Sequence, residues 1–200
     1  MKNFINLILF LSLFAVNVSA QSGDEVLQSL QNKFNSINDL TADITQKVNG
    51  KVNLSGKLLF KKENNLRFEF NNQTIVSDGQ TSWNYNKKDN KVIISNYDDT
   101  GSNFLSINYL VYEFPKECTV SLSQEGNQKS LLLHPKTKKN NLGDVILVIT
   151  KDNLIEKAKI SDQNAGTIEI QFSNYKLNQK TSDSKFSFTP PEGSSVIDLR

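Results

Sequence analysis

Between Gly56 and Asn86 apolar and polar residues alternate through three consecutive segments. Leu58 and Phe60 alternate with Lys57 and Lys61, Leu66, Phe68 and Phe70 with Arg67 and Glu69, and Trp83 and Tyr85 follow an Asp78-Gly79 turn. A period of two sends successive side chains to opposite faces of a strand. These segments therefore predict antiparallel strands that share one apolar, strongly aromatic face and carry no obvious catalytic group. The pattern points to binding.

The period changes on either side. From Asp24 to Ile37 the apolar residues Val26, Leu27, Leu30, Phe34 and Ile37 recur at three-and-four spacing, with Ser22 or Asp24 placed to cap the start, which predicts a first helix. Leu40, Ala42, Ile44 and Val48 then alternate with Thr41, Asp43, Thr45 and Lys47, and Asn49-Gly50 turns the chain back through Val52, Leu54, Leu58 and Phe60 as a hairpin. Further strands are predicted at 74–77, 81–86 and 91–96. From Ser102 to Phe114, Phe104, Ile107, Leu110, Val111 and Phe114 return to helical spacing, and Pro115 ends the run, giving a second helix inserted mid-sheet. Alternation resumes through Cys118, Val120 and Leu122, Leu131 and Leu133, 145–149, 154–160 and Ile168, Ile170 and Phe172. Val145 to Ile149 is apolar at every position, the mark of a strand buried on both sides or of one especially central strand. The count is about ten or eleven strands with two helices, an α+β fold in which a large antiparallel sheet curls and the helices pack against one face.

Composition narrows the setting. Met1–Ala20 has Lys2 followed by an apolar run and a Val18-Ser19-Ala20 end, the pattern of a cleaved secretory signal, so residues 21–200 are expected to form a single domain outside the cytoplasm. Cys118 is the only cysteine, which excludes an intramolecular disulfide and leaves stability to burial and strand pairing. Of 23 basic side chains one, Lys2, lies in the signal, leaving 22 against 21 acidic ones and no global field for nucleic acid. Lys136, Lys138 and Lys139 cluster beside Pro135 and Gly143 and read as a solvated loop.

Candidate chemistry is sparse. His134, the single histidine, stands beside Pro135 at a strand end and reads as a surface residue, and Cys118 reads as buried. No nucleophile elbow, paired-histidine zinc motif, C-x-x-C or phosphate loop occurs. Asp98 and Asp99 lack regularly spaced further oxygen ligands, so neither metal nor cofactor is expected.

Specific residues resemble a known family, the periplasmic lipoprotein carriers of the LolA type. Ile44-Thr45-Gln46-Lys47-Val48 is similar to its first-strand Phe-Thr-Gln pattern, and Gly56 to Asn64 resembles its strand leading to a basic residue and Pro-Asn. Ile75-Val76-Ser77-Asp78-Gly79 with Trp83 and Tyr85 resembles V-S-D-G-x-x-x-W-x-Y. Lys185 to Gly193 with Val196 and Asp198 resembles the K-F-x-F-x-P-P-x-G-x-x-V-x-D terminus.

The resemblance implies an open, unclosed β-barrel whose concave apolar face is lidded by helices, and a carrier that is not an enzyme. Such a carrier accepts acylated lipoproteins from an ATP-driven inner-membrane release complex and passes them through the periplasm to an outer-membrane receptor. Leu30, Phe34, Phe104 and Ile107 become lid candidates. Leu40, Ile44, Leu58, Phe60, Leu66, Phe68, Phe70, Trp83 and Tyr85 become lining candidates by parity and by this likeness. Where the family places an arginine thought to bond the closed lid, this chain has Lys62-Glu63-Asn64, which leaves Lys62, or Arg67 from the next strand, as gating candidates. A monomer is expected. A carrier for another lipid-like precursor, or an enzyme processing such a lipid, remain alternatives, since an apolar cavity discriminates chain chemistry poorly.

Overall fold

The computed structural model describes residues 21–97, 107–137 and 141–200. The proposed signal 1–20, Asp98, Asp99, Phe104, Lys138 and Lys139 lie outside them. Helix α1 (Gly23–Asn35) starts where the caps require: the Ser22 hydroxyl accepts from the Glu25 amide, and the Glu25 carboxylate accepts from the Ser22 amide. Its buried stripe is Val26, Leu30 and Phe34.

Twelve strands follow among the described residues, β1 (Asp39–Val48), β2 (Lys51–Lys61), β3 (Asn65–Phe70), β4 (Gln73–Asp78), β5 (Thr81–Asn86), β6 (Lys91–Asn96), β7 (Cys118–Glu125), β8 (Gln128–Pro135), β9 (Leu142–Ile149), β10 (Ile155–Asp162), β11 (Gly166–Leu177) and β12 (Ser195–Asp198). They form one curved sheet in the order β12-β6-β5-β4-β3-β2-β1-β11-β10-β9-β8-β7, whose two ends do not pair. The barrel is therefore unclosed. Asn49 and Gly50, both at positive φ, make the expected two-residue turn between β1 and β2. Gly56 is required for another reason: a Cβ there would stand 1.9 Å from the Glu69 carbonyl oxygen of β3.

Three expectations change. The sheet is mixed, because the short strand β12 runs parallel to β6. The second helix is described only from residue 107, where it widens to a π turn (Tyr109–Glu113) before a short α2 (Phe114–Lys116). Pro115 does not end it: the Phe114 amide reaches back five residues to the Tyr109 carbonyl, a wider register that accommodates a ring otherwise opposed to the carbonyl four residues back. Strand β9 buries Val145, Leu147 and Ile149 and leaves Ile146 and Val148 half-buried, so it is covered fully on one side only.

Register assigns the faces, since directly paired residues point the same way. The inner face carries Leu40, Ala42 and Ile44, Leu58, Leu66 and Phe68, Leu131 and Leu133, Val145 and Leu147, and Ile168, Ile170 and Phe172, all in one buried cluster with α1 and the π turn. Buried residues outside that cluster, Val76, Val92, Ile94 and Phe186, belong to the outer face of β4–β6. There the C-terminal segment crosses as a strap, with Phe186 1% exposed in a 3-10 turn (Asp183–Phe186) and Phe188 against Tyr85 at a ring separation of 5.7 Å.

Candidate functional site

The inner face and the helix over it form the site. Leu30, Leu40, Leu58, Leu110, Leu131, Leu133 and Leu147 are wholly buried in the same cluster. The bowl is filled by its own side chains.

Few polar bonds hold α1 down among the described residues. At its C-terminal end Lys62 donates from Nζ to the Asn35 carbonyl at 3.0 Å, placing a cation where the helix leaves carbonyls unpaired. The Tyr112 hydroxyl contacts Asn35 Oδ1 at 2.7 Å and the Gln31 carbonyl at 3.2 Å, and Gln31 Nε2 donates to the Val111 carbonyl at 3.0 Å. Burial raises the Tyr112 phenol above its ordinary pKa of 10.0. At the N-terminal end Gly23 lies against the backbone of β7, and Lys129 donates to Gln21 Oε1 at 2.7 Å. A notch of about 180 Å³ opens at the C-terminal end, between Phe34, Phe60, Ile107, Tyr112 and the 62–64 turn.

The hinge below α1 is built differently. Asp39, 4% exposed, accepts from the Gln179 and Lys180 amides and the Thr181 hydroxyl, and Asn38 donates its amide to Asn178 Oδ1. Burial pushes the Asp39 carboxyl upward, but the Thr181 hydroxyl and the backbone amides outweigh it and hold the pKa below 3.8. The strap thus fixes the point from which α1 departs.

The residues expected at the site divide clearly. Leu30, Phe34, Leu40, Ile44, Leu58, Leu66, Phe68, Phe70 and Ile107 are buried together, and Phe60 is half-buried at the notch. Phe104 lies outside the described residues. Trp83 and Tyr85 are a correction: Val76 pairs with Trp83 and Thr74 with Tyr85, on the outer face, because inner positions are even-numbered on β3, odd on β4 and even again on β5. Of the two gating candidates Lys62 bonds the helix, at the Asn35 carbonyl. Arg67 does not: it ion-pairs with Glu69 at 2.7 Å and donates to the Lys185 carbonyl of the strap at 3.1 Å.

Missed residues are Gln31, Asn35 and Tyr112, whose contacts cross about 80 positions of chain and leave no local pattern. The inner residues of β7–β11 are missed as well, although their alternation is visible, because no predicted helix is assigned to cover them. His134 is exposed beside Asp144, and burial, with the nearby Glu117 carboxylate, raises the Cys118 thiol to about 11. Among the described residues no three His, Cys, Asp or Glu side chains gather as a metal site.

Known proteins are similar to this chain in sequence and in fold. Residues 35–189 match the family model described as outer membrane lipoprotein carrier protein LolA. An outer-membrane lipoprotein carrier protein of Legionella pneumophila (strain Lens) is 30% identical over 203 residues, spanning 95% of this chain and 96% of that protein. One from Francisella tularensis subsp. novicida (strain U112) is 27% identical over 209 residues, spanning 99% and 98%. In fold, an uncharacterized conserved protein from Thermus thermophilus superposes with a TM-score of 0.58 at 13% identity, covering 88% of this chain and 98% of that one.

Proposed function

The chain belongs to the LolA family of outer-membrane lipoprotein carriers, and on that premise we propose that it takes up the acyl chains of lipoproteins on the inner face beneath α1. It acts as a carrier, and binding is the whole of its work. One observation supports this reading most: an apolar interior closed by a helix that four described polar contacts tie near its C-terminal end.

Magnitudes show why such a lid can exchange. Burying Val26, Leu30, Phe34 and Ile37 contributes about 6–12 kcal/mol together at ~1.5–3 kcal/mol per side chain. One acyl chain of ~16 carbons recovers roughly 10 kcal/mol on leaving water. Lipid therefore replaces the helix's contacts almost evenly. In this reading Leu30, Phe34 and Ile107 close over Leu40, Ile44, Leu58, Phe60, Leu66, Phe68 and Phe70, and Lys62 latches the lid.

A membrane holds acyl chains as well as a protein interior does, so extraction needs energy from elsewhere. The chain has no phosphate loop, and a separate ATP-driven inner-membrane complex fits as its donor, with an outer-membrane receptor as acceptor. Residues 1–20 would direct export and leave the carrier in the periplasm.

Depletion of the protein followed by membrane fractionation tests the function. Lipoproteins trapped in the inner membrane are the expected result, and normal sorting overturns it. Native mass spectrometry of the protein isolated from its own periplasm should show a co-purifying lipoprotein; another lipid in its place would reassign the cargo.

A further inference from the structure

The inner face is not apolar throughout. Towards the β12 edge it becomes a polar groove of about 580 Å³ at the end of the sheet opposite the Lys62 notch, within the size range of ligand sites. Its walls carry the amide side chains of Asn53, Asn71, Asn72, Gln73, Asn84 and Asn86. Phe70 belongs both to this groove and to the buried apolar cluster, so the two spaces meet at that ring.

We propose that this groove holds the first residues of the cargo polypeptide, those following its acylated cysteine, while the acyl chains lie under α1. The inference rests on the carrier reading and adds a second subsite to it. Amide side chains present a donor and an acceptor each, which complements a peptide backbone. Gln73 Nε2 donates to Asn84 Oδ1 at 2.9 Å, so facing amides on β4 and β5 already meet across the groove as a backbone amide and carbonyl would. An acyl chain satisfies neither donor nor acceptor. A phosphate would answer only donors, and the charges here have mixed sign, Lys88 and Lys91 beside Asp89. The peptide also has to leave the oily interior somewhere, and the ring of Phe70 marks where polar lining begins.

Two probes test this on the chain 21–200: a decapeptide with a triacylated N-terminal cysteine, and the same triacylated cysteine as its amide with no residue after it. Affinities are read by competition against a fluorescent fatty acid. The variant Gln73→Leu/Asn84→Leu should weaken the decapeptide about tenfold and change the cysteine amide less than twofold. Equal weakening of both probes, or of neither, overturns the groove. If the wild-type protein takes up neither probe, the carrier reading itself falls, and the groove with it. A triacylated glycolipid that loses the same tenfold would overturn the peptide assignment. Should the variant not fold, a benzophenone at the third peptide residue reads the unmodified protein: crosslinks at 71–73 or 84–88 support the groove, and crosslinks anywhere else overturn it.

Discussion

On β1 and β7–β11 the fully buried apolar side chains point inward and share one cluster with α1 and the π turn, whereas on β5 and β6 Trp83, Tyr85, Val92 and Ile94 point outward, and the strap packs on that face through Phe186 and Phe188. The covers differ as much as the faces. The helix is tied by a few side-chain bonds at its ends, while the strap is anchored on buried Asp39, bonded by Lys61 and Arg67, and continued as strand β12. On the proposed reading the cover that moves is held by contacts a guest can replace. The cover that stays is held by backbone hydrogen bonds and a buried carboxylate.

Truncation tests this division most strongly. Phe186→Ala should cost about 3–5 kcal/mol and Leu30→Ala about 2–5 kcal/mol in urea denaturation of the unloaded protein. With a triacylated lipopeptide bound, the Leu30→Ala loss should shrink, because acyl carbon fills the space, and the Phe186→Ala loss should not. A Phe186 loss that also shrinks would break the contrast.

The anchor comes next. Asp39→Ala strands the amides of Gln179 and Lys180 and should cost about 1–3 kcal/mol. The folded carboxyl sits below 3.8, so its contribution is complete above that pH and is lost as pH falls through the folded value. Wild type should therefore lose more stability between pH 6 and pH 3 than Asp39→Asn does, and parallel curves would remove Asp39 as the anchor.

Smaller effects sharpen the latch. Lys62→Met removes one exposed charge-assisted bond, about 1 kcal/mol after solvent screening, and α1 amides should exchange with deuterium roughly fivefold faster. Arg67→Met should leave α1 exchange unchanged, since its partners are Glu69 and the strap. Acceleration by both would place the two cations on one device. The smallest effect is optical: Trp83, the only tryptophan, lies across the sheet from the lid, so its emission should not shift when lipopeptide binds.

Much of the scaffold is legible along the chain. The Ser22 cap and the Val26-Leu30-Phe34 stripe specify α1, and Asn49-Gly50 specifies its hairpin, because both devices act within a few residues. Trp83 and Tyr85 are misplaced because alternation tells which residues of a strand share a face and not which face is inner. That choice is made again at each turn by pairing register. The strand β12 escapes notice for a related reason: four residues carry little periodicity, and its pairing with β6 lies about a hundred positions away.

By itself the chain determined its helix start, most of its strands and turns, a single buried cysteine and the lack of catalytic motifs, all consequences of local sterics, solvation and composition. Only the tertiary structure decided that Lys62 rather than Arg67 meets the helix, that Asp39 receives the strap, and that the sheet turns its apolar side inward on one half and outward on the other. Those outcomes depend on which distant segments arrive to exclude water, and no local preference of a residue carries that information.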